Sequence, residues 1–306
     1  MEFIEQIFNG LLLGCNYTLI AIGFSLFFGA LNVVHFSHGD VCILGSFIIL
    51  VFYQIGRAWG IFDAVPGVVI IPLVIAAATI LTGILGAVFE KLAIKPFRQS
   101  PLLMVLVATV ALGLIIRESL RLFYPQGSNP QIFPALLPDG GFPLRGLFVR
   151  YDSLIILGLT IVLITLVFLF VERTRMGTAI RAISQDTEAA VMMGVNVNAT
   201  VSITFILGSA LGALAGILNG VYIGIIRFDM GLMGGIKGFS AAVVGGLGNI
   251  YGAIFGGILL GFVETFASVL IPGGTAYKDV FSFLVVIFFL VFKPSGILGE
   301  KVYEKV

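Results

Sequence analysis

The residues with the greatest capacity for chemistry in this sequence lie in one short polar segment between apolar stretches. The segment reads Asn32-Val-Val-His35-Phe-Ser37-His38-Gly39-Asp40. Its imidazoles and carboxylate are groups that could hold a metal ion. However, the chain has only 2 histidines, no cysteine or glutamate stands at ligand spacing, and Asp40 alone does not complete a site. We therefore expect no bound metal.

The sequence does not predict an enzyme. It contains neither the nucleophile motif G-x-S-x-G nor the zinc motif H-E-x-x-H, and spacing singles out no catalytic set around either histidine. It also lacks a Walker A sequence, the nearest run being Gly296-Ile-Leu-Gly299-Glu-Lys301. We expect this chain to bind no cofactor, so any ATP chemistry must lie on another polypeptide.

Polar groups inside a membrane are costly unless they are paired or hydrated. The segment 32–40 therefore either lines a cavity, or its ends cap helices while its histidines bind free carbonyl groups. Three polar residues in the middle of the first apolar stretch, Asn16, Tyr17 and Thr18, offer a similar choice, since they either bond to a neighbouring helix or face a permeating molecule. The residues predicted to line a translocation pathway are Asn16, Tyr17, Asn32, His35, Ser37 and His38.

Other charged residues also fall within apolar stretches. Glu264 is a lone carboxylate, so it either has a function or pairs with a buried basic group such as Lys237. Glu118 and Arg121 have the spacing of a local ion pair on a helix. That pair leaves Arg117 to extend its head group toward the membrane interface.

The elements that must position these residues are membrane-spanning helices. The chain is 59% hydrophobic and 11% charged, with a mean hydropathy of +1.13, whereas a soluble domain carries about 25% charged residues. The 17 basic and 16 acidic residues include no tract that could neutralise a run of phosphates, which argues against a nucleic-acid partner. Cys15 and Cys42 lie in apolar runs and should be inert packing residues. The apolar runs cover about 7–29, 39–53, 66–89, 102–124, 153–171, 199–225, 230–248, 251–271 and 280–292.

Basic loops predict the orientation of these runs. Three groups of basic residues should be cytoplasmic: Lys91, Lys95 and Arg98; Arg173, Arg175 and Arg181; and Lys293, Lys301 and Lys305 at the C-terminus. Arg145 and Arg150, in the connection 125–152, fit this scheme less well. An even number of crossings must separate the second group from the third, which requires the run 230–248 to cross rather than to re-enter. We predict one all-α polytopic membrane domain, 1–306, with about eight to nine transmembrane helices and the N-terminus outside.

A faint internal symmetry relates the two halves of the chain. A long apolar helix, a polar break at 32–40 and a short helix recur as a long helix to Ile225, a second break at 227–238 and a short helix. Because parity makes the two long helices run in opposite directions, the pattern indicates the weak inverted repeat that is common in transporters. Matching breaks also point to a transport pathway, although glycine-rich turns between packed helices would look similar.

Glycines recur at every fourth position of the second long helix and predict a helix packing face. They are Gly208, Gly212, Gly216, Gly220 and Gly224. Two further pairs follow in a later run, Gly252 with Gly256 and Gly257 with Gly261. One of these faces could pack within the chain or against a second permease subunit.

The segment 173–198 is the one long charged stretch of helical character between two apolar runs. We predict a short helix near 178–184, a break at Gln185 and Asp186, and a second helix near 187–193 that ends at Gly194. This helical knob (residues 173–198) has the shape of a docking surface, and the alternative is an amphipathic loop that lies on lipid.

Several motifs of the chain resemble known transporters. The run Glu188-Ala189-Ala190-Val-Met-Met-Gly194 resembles the E-A-A-x-x-x-G loop of ABC importer permeases, which docks onto the ATPase subunits. Over nearly its whole length the sequence is similar to branched-chain amino-acid importer permeases of the LivH type. The similar runs are Phe8-Asn9-Gly10-Leu11 to Gly14, 17–29, 32–39, Arg181-Ala-x-x-x-Asp186 and 238–248.

The resemblance implies a type II-like ABC importer permease in a prokaryotic plasma (inner) membrane, with a cytoplasmic C-terminus. Its implied partners are a second related permease, two ATPase subunits that bind ATP, and an extracytoplasmic substrate-binding protein. It would move branched-chain amino acids inward by alternating access. ATPase coupling would fall to Arg181, Asp186, Glu188, Ala189, Ala190 and Gly194. Similar permeases move urea, amides or other amino acids, and an ion-coupled carrier, with only Glu264 and Asp40 available for coupling, is the runner-up.

Overall fold

The computed structural model describes residues 2–98, 100–138, 140–144, 147–271 and 273–299. Arg145, Lys301 and Lys305, which entered the topology prediction, lie outside the described residues. The α-helices are α1 (Glu2–Leu31), α2 (His38–Ala58), α3 (Ile61–Ala64), α4 (Gly67–Phe89), α5 (Leu102–Phe123), α6 (Tyr151–Arg173), α7 (Arg175–Gln185), α8 (Thr187–Met192), α9 (Val197–Ile223), α10 (Met230–Gly245), α11 (Ile250–Leu270) and α12 (Lys278–Phe292).

Shorter elements extend or connect these helices. A π-helical turn at Glu90–Ile94 and a 3-10 turn at Lys95–Phe97 continue α4, and a 3-10 turn at Gly274–Tyr277 leads into α12. The connection between α5 and α6, for which the sequence predicts no structure, contains strands. Strand β1 (Gln131–Ile132) pairs antiparallel with β4 (Ile225–Ile226), and β2 (Gly141–Leu144) pairs antiparallel with β3 (Leu147–Arg150).

Within the described residues, 8 helices are long and apolar enough to cross a membrane. They are α1, α2, α4, α5, α6, α9, α11 and α12. A helix satisfies its own backbone hydrogen bonds, which is why apolar runs of this length are helical in lipid. The predicted all-α polytopic fold is confirmed. Helix α10 is also apolar, but its 16 residues are fewer than the ~20 that a perpendicular crossing needs.

The long helices of the two halves interlock in an inverted arrangement. Helix α1 runs antiparallel to α11, since Gly10 lies against Phe262 while Thr18 donates a hydrogen bond to the Ile254 carbonyl. Helix α9 runs antiparallel to α4 in the same manner, because Gly83 lies against Ala210 and Ser202 donates to Glu90. Each half thus packs its first long helix on the third apolar helix of the other half, as an inverted repeat requires.

The helical knob and the C-terminal end of the described chain lie at one end of the bundle. Ile180 of α7 lies against Gly29 near the end of α1, and Gly248, after α10, lies against Phe28. The chain after α12 joins this end, where the backbone of 297–298 donates hydrogen bonds to the carbonyls of 244–245. The second basic loop and the last described residues are therefore on the same side, as the charge parity requires.

The segment 227–248, which contains α10, connects the two ends of the bundle. Helix α9 begins at the knob end and finishes at β4, which pairs with β1 at the opposite end. From there the chain returns through α10 to Gly248 beside Phe28. The segment 230–248 therefore travels between the two ends and does not turn back to the end at which it began.

Glycines allow the backbones of the central helices to approach each other closely. Gly208, Gly212 and Gly216 of α9 face α1 and α2, and Gly220 faces Phe133 in the connection after α5. A Cβ atom at Gly216 would lie 2.0 Å from the Cys42 carbonyl oxygen, so no larger residue fits there. Gly224 differs from the others: it ends α9 with φ 78° and has open space around its Cα.

Helix α11 uses two glycine faces, and both pack inside the chain. Gly252 and Gly256 lie against the backbone of α10, where a Cβ atom at Gly256 would be 2.0 Å from the Ala241 carbonyl oxygen. Gly257 and Gly261 lie against α1. Close approach of this kind gives the van der Waals contact that holds helices together in lipid. Neither face is free for a second subunit.

Candidate functional site

The first polar break turns the chain back into the bundle after α1. Asn32 takes a left-handed conformation with φ 53°. His35 is buried, with its Nε2 3.0 Å from Ser37 Oγ. The rings of Phe27 and Phe205 pack edge-on against His35 at centroid distances of 4.8 and 5.0 Å. In this structure His35 and Ser37 hold the connection between α1 and α2 in place.

His38, the first residue of α2, fills a space left by glycines of two other helices. Its ring lies between Gly23 of α1 and Gly212 of α9 and is fully buried. Two rings of α1 pack edge-on against it at 5.1 Å each, those of Phe24 and Phe27. The carbonyl of Ile20 faces the ring, yet neither ring nitrogen makes a hydrogen bond of normal geometry with a described residue. His38 is therefore part of the contact between α1 and α9.

Asp40 forms an ion pair with Arg117 of α5. The guanidinium donates to both carboxylate oxygens, over 3.2 and 3.1 Å, and Asp40 is buried. The prediction that Arg117 extends toward the interface is wrong, because a buried carboxylate offers it a bidentate partner. Arg121 does pair with Glu118, at 2.6 Å, as their spacing predicts.

A second group of charges, the ionic cluster (Tyr17, Lys237, Glu264, Asp279 and Ser282), joins four helices. Lys237 Nζ of α10 lies 2.8 and 2.9 Å from the carboxylate oxygens of Glu264 in α11 and 2.6 Å from Asp279 Oδ1 in α12. Tyr17 of α1 donates to Glu264 over 2.7 Å, and Ser282 donates over 3.3 Å. Of the two alternatives for Glu264, pairing with Lys237 is the one observed.

The two polar breaks meet in the interior. Gly39, at the start of α2, lies against Gly231 and Gly235 of α10, and a Cβ atom at Gly39 would be 2.1 Å from the Gly231 carbonyl oxygen. Asn16, half-buried in α1, donates its amide to the Ala215 carbonyl of α9 over 3.3 Å. The structure thus brings α2 and α10 together at their first turns, beside α1 and α9.

The helical knob has the two helices and the break that its sequence predicts. Asp186 caps α8 by accepting a hydrogen bond from the Ala189 N–H over 3.0 Å, and Gly194 ends the turn with φ 85°. Arg181 is half-buried and turns back to the bundle, where it donates to the Val171 carbonyl over 2.7 Å and pairs with Glu172 at 2.9 Å. It fastens α7 to the end of α6.

The outer surface of α8 is apolar at its tip. Glu188 and Ala189 are exposed, while Ala190 is buried against the rest of the knob. Met192 and Met193 are each 85% exposed. Methionines this exposed on a capped, rigid helix suit contact with another protein, because their flexible thioethers adapt to a partner surface.

A network at the knob end was not foreseen from the sequence. Glu90 is buried, pairs with Arg98 and accepts a hydrogen bond from Ser202 over 2.8 Å. Arg98 also donates to Asn198 over 3.0 Å. Burial lowers the pKa of the Arg98 guanidinium, and Glu90 opposes this shift. The network ties the end of α4 to the start of α9. In the sequence, the only sign of it is Glu90, the acidic residue that directly follows the apolar run 66–89.

The described residues contain no group of three or more metal-ligating side chains in one place. The charged side chains of the interior are instead bound to each other. Both cysteines are buried and free. The interior is therefore arranged to pack and to hold helices in register.

Comparisons with known proteins agree on one family. The family model described as branched-chain amino acid transport system, permease component, matches residues 6–290. The high-affinity branched-chain amino acid transport system permease protein BraD of Pseudomonas aeruginosa is 35% identical, and the alignment covers 100% of this chain and 98% of that protein. The permease protein LivH of the corresponding Escherichia coli system is 32% identical with the same coverage. Among solved structures, PsaBC from Streptococcus pneumoniae in complex with Fab matches with a TM-score of 0.49 and 13% identity over 96% of each chain.

Proposed function

The chain belongs to the family of branched-chain amino acid transport system permease components, and we propose that it is the membrane-spanning permease subunit of an ABC importer for branched-chain amino acids. The observation that carries this proposal is the match of the family model and of relatives above 30% identity over essentially the whole chain. The 8 apolar helices make it a multi-pass membrane protein.

The helical knob supplies the proposed contact with an ATPase subunit. Met192 and Met193 present an exposed apolar tip beside the carboxylate of Glu188. Arg181 fastens α7 to α6, and Ile180 rests on α1 near Gly29. A force applied to α8 would therefore reach two long helices of the bundle. ATP would be bound and hydrolysed by the two partner ATPases, and this chain would bind no cofactor.

The knob end of the bundle is proposed to face the cytoplasm. Three basic residues of the loops at this end, Lys91, Arg173 and Arg175, follow the bias of cytoplasmic loops toward lysine and arginine. The last described residues lie at the same end, which would make the C-terminus cytoplasmic. The β1–β4 end would then meet the substrate-binding protein, and a second, related permease would complete the pathway.

Alternating access would use α2 and α10, the two helices that begin inside the bundle. Broken helices that start in the interior at matching positions of two halves are the usual place of a transport pathway. In this structure His35 and His38 are buried in aromatic contacts, so exposing them requires α1 and α9 to separate. We propose that Asn16, Tyr17, Asn32, His35, Ser37 and His38 border the pathway when this contact opens.

Uptake by the reconstituted complex tests the function. The chain is assembled with its partner permease, ATPases and binding protein in proteoliposomes, and uptake of labelled leucine, isoleucine and valine is measured with ATP supplied to the ATPase side. We expect uptake that needs both ATP and the binding protein. Urea, acetamide and glutamate serve as comparison substrates. Uptake of one of these in place of leucine would contradict the proposed substrate class. Leucine uptake by the chain alone without ATP would contradict the assignment as an ABC importer subunit.

A further inference from the structure

A cavity of about 410 Å³ lies at the β1–β4 end of α2. It is lined by Leu50, Tyr53, Gln54, Arg57, Ile132 and Pro134. The four lining residues of α2 follow the spacing of one helix face, and the other two belong to β1 and the loop after it. A volume of this size falls within the ~300–1,000 Å³ of small-molecule sites.

Arg57 distinguishes this cavity from the rest of that surface. No residue whose side chain the structure describes forms a hydrogen bond or ion pair with its guanidinium. The other exposed arginines described at that end, by contrast, each pair with a carboxylate: Arg121 with Glu118, Arg150 with Asp152, and Arg227 with Asp229. A guanidinium at the wall of a cavity can bind a carboxylate in a bidentate manner.

The remaining walls suit an amphipathic molecule. Gln54 donates its amide N–H to the Tyr124 hydroxyl over 2.9 Å, so its carbonyl oxygen can accept a hydrogen bond. Leu50, Ile132 and Pro134 supply apolar surface. The rings of Phe47 and Tyr124 pack edge-on at 4.9 Å, and both residues belong to the buried cluster that includes the lining residue Leu50.

We propose that this cavity is an outward-facing site for a free aliphatic α-amino acid. Arg57 binds the α-carboxylate, the side-chain carbonyl of Gln54 accepts from the α-ammonium, and the aliphatic side chain rests on Leu50 and Pro134. The proposal rests on the proposed function, because it assumes an amino-acid substrate. It makes this site the first that a substrate occupies on the permease, before the Phe47–Tyr124 contact opens.

Ligand protection of an introduced cysteine tests the site directly. Cys15 and Cys42 are buried, so a membrane-impermeant thiol reagent should report mainly on Tyr53→Cys, which keeps both polar groups of the site. In the full complex without binding protein, millimolar leucine should slow the labelling of this cysteine, and leucinamide, which lacks the carboxylate, should not. Adding Arg57→Ala should raise the leucine concentration needed for protection by about tenfold or more, since a charge-assisted bidentate contact is lost.

Control variants and uptake separate the possible failures. Trp59→Cys, at an exposed position of the same helix end outside the cavity, should label equally with and without leucine, and Arg121→Ala should leave protection unchanged. Equal protection by leucine and leucinamide would overturn the site. If the wild-type complex imports leucine but leucine gives no protection, this inference fails alone; if it imports no leucine, the proposed function fails.

Discussion

Charged side chains within the helix bundle occur in pairs that tie helices together. Arg117 holds Asp40 between α5 and α2, and Lys237 holds Glu264 between α10 and α11. An unpaired charge in this environment is costly, so each partner depends on the other. From the sequence, Lys237 could be named as a possible partner of Glu264, but the pairing of Asp40 with Arg117 could not be predicted. These two residues are 77 positions apart, and only the fold brings α2 and α5 together.

Removing the cation of the ionic cluster should destabilise the permease strongly. In Lys237→Met, the buried carboxylate of Glu264 keeps only hydroxyl donors and the more distant Lys278, at 3.8 Å. We expect the free energy of unfolding to fall by an amount on the order of 3–5 kcal/mol, as for other broken buried ion pairs. The measurement is the melting temperature of the purified complex, which should be lower. Arg121→Met, which breaks an exposed pair, should cost about 1 kcal/mol or less. Equal melting temperatures of the two variants would show that the cluster does not stabilise the fold.

At the level of elements, the glycine pattern predicted helix contacts but not their partners. The stripe on α9 was visible from a four-residue period, yet nothing in the period says that Gly208 to Gly216 face α1 and α2 or that Gly224 ends the helix. The strand pairs β1–β4 and β2–β3 were not predicted either, because strands of two to four residues are too short to show a periodicity in the sequence. The knob was predicted well because its caps, Asp186 and Gly194, are local signals.

A bulky residue at Gly216 should separate α9 from α2. A Cβ atom there would already lie 2.0 Å from a backbone oxygen, so Gly216→Leu requires a backbone shift. We expect a destabilisation of about 1–3 kcal/mol or more, read from thermal unfolding of the complex. Gly158→Leu on α6 is the matched control, since no atom lies within 4 Å of a Cβ at that position. The packing assignment would be refuted by a Gly216 variant that melts with the control.

For the whole molecule, composition predicted the class, and three groups of basic residues predicted which side of the membrane the loops face. The long helices were identifiable because lipid demands apolar runs with internal backbone hydrogen bonds. Tertiary arrangement was less accessible: the interlocking of α1 with α11 and of α9 with α4 depends on contacts distant in sequence. The cavity at Arg57 was not predicted either, since an arginine at a helix end resembles any interfacial residue until its neighbours are known.

The most direct test of the central claim, that ATPase subunits drive this permease through the helical knob, is leucine uptake and ATP hydrolysis measured together in the same proteoliposomes. The double variant Met192→Asp/Met193→Asp changes only exposed side chains, so the permease should still fold, insert and pair with the second permease. We predict that it loses leucine uptake and the stimulation of ATP hydrolysis by liganded binding protein, because α8 no longer docks. Coupled uptake at the wild-type rate in this variant would contradict the claim.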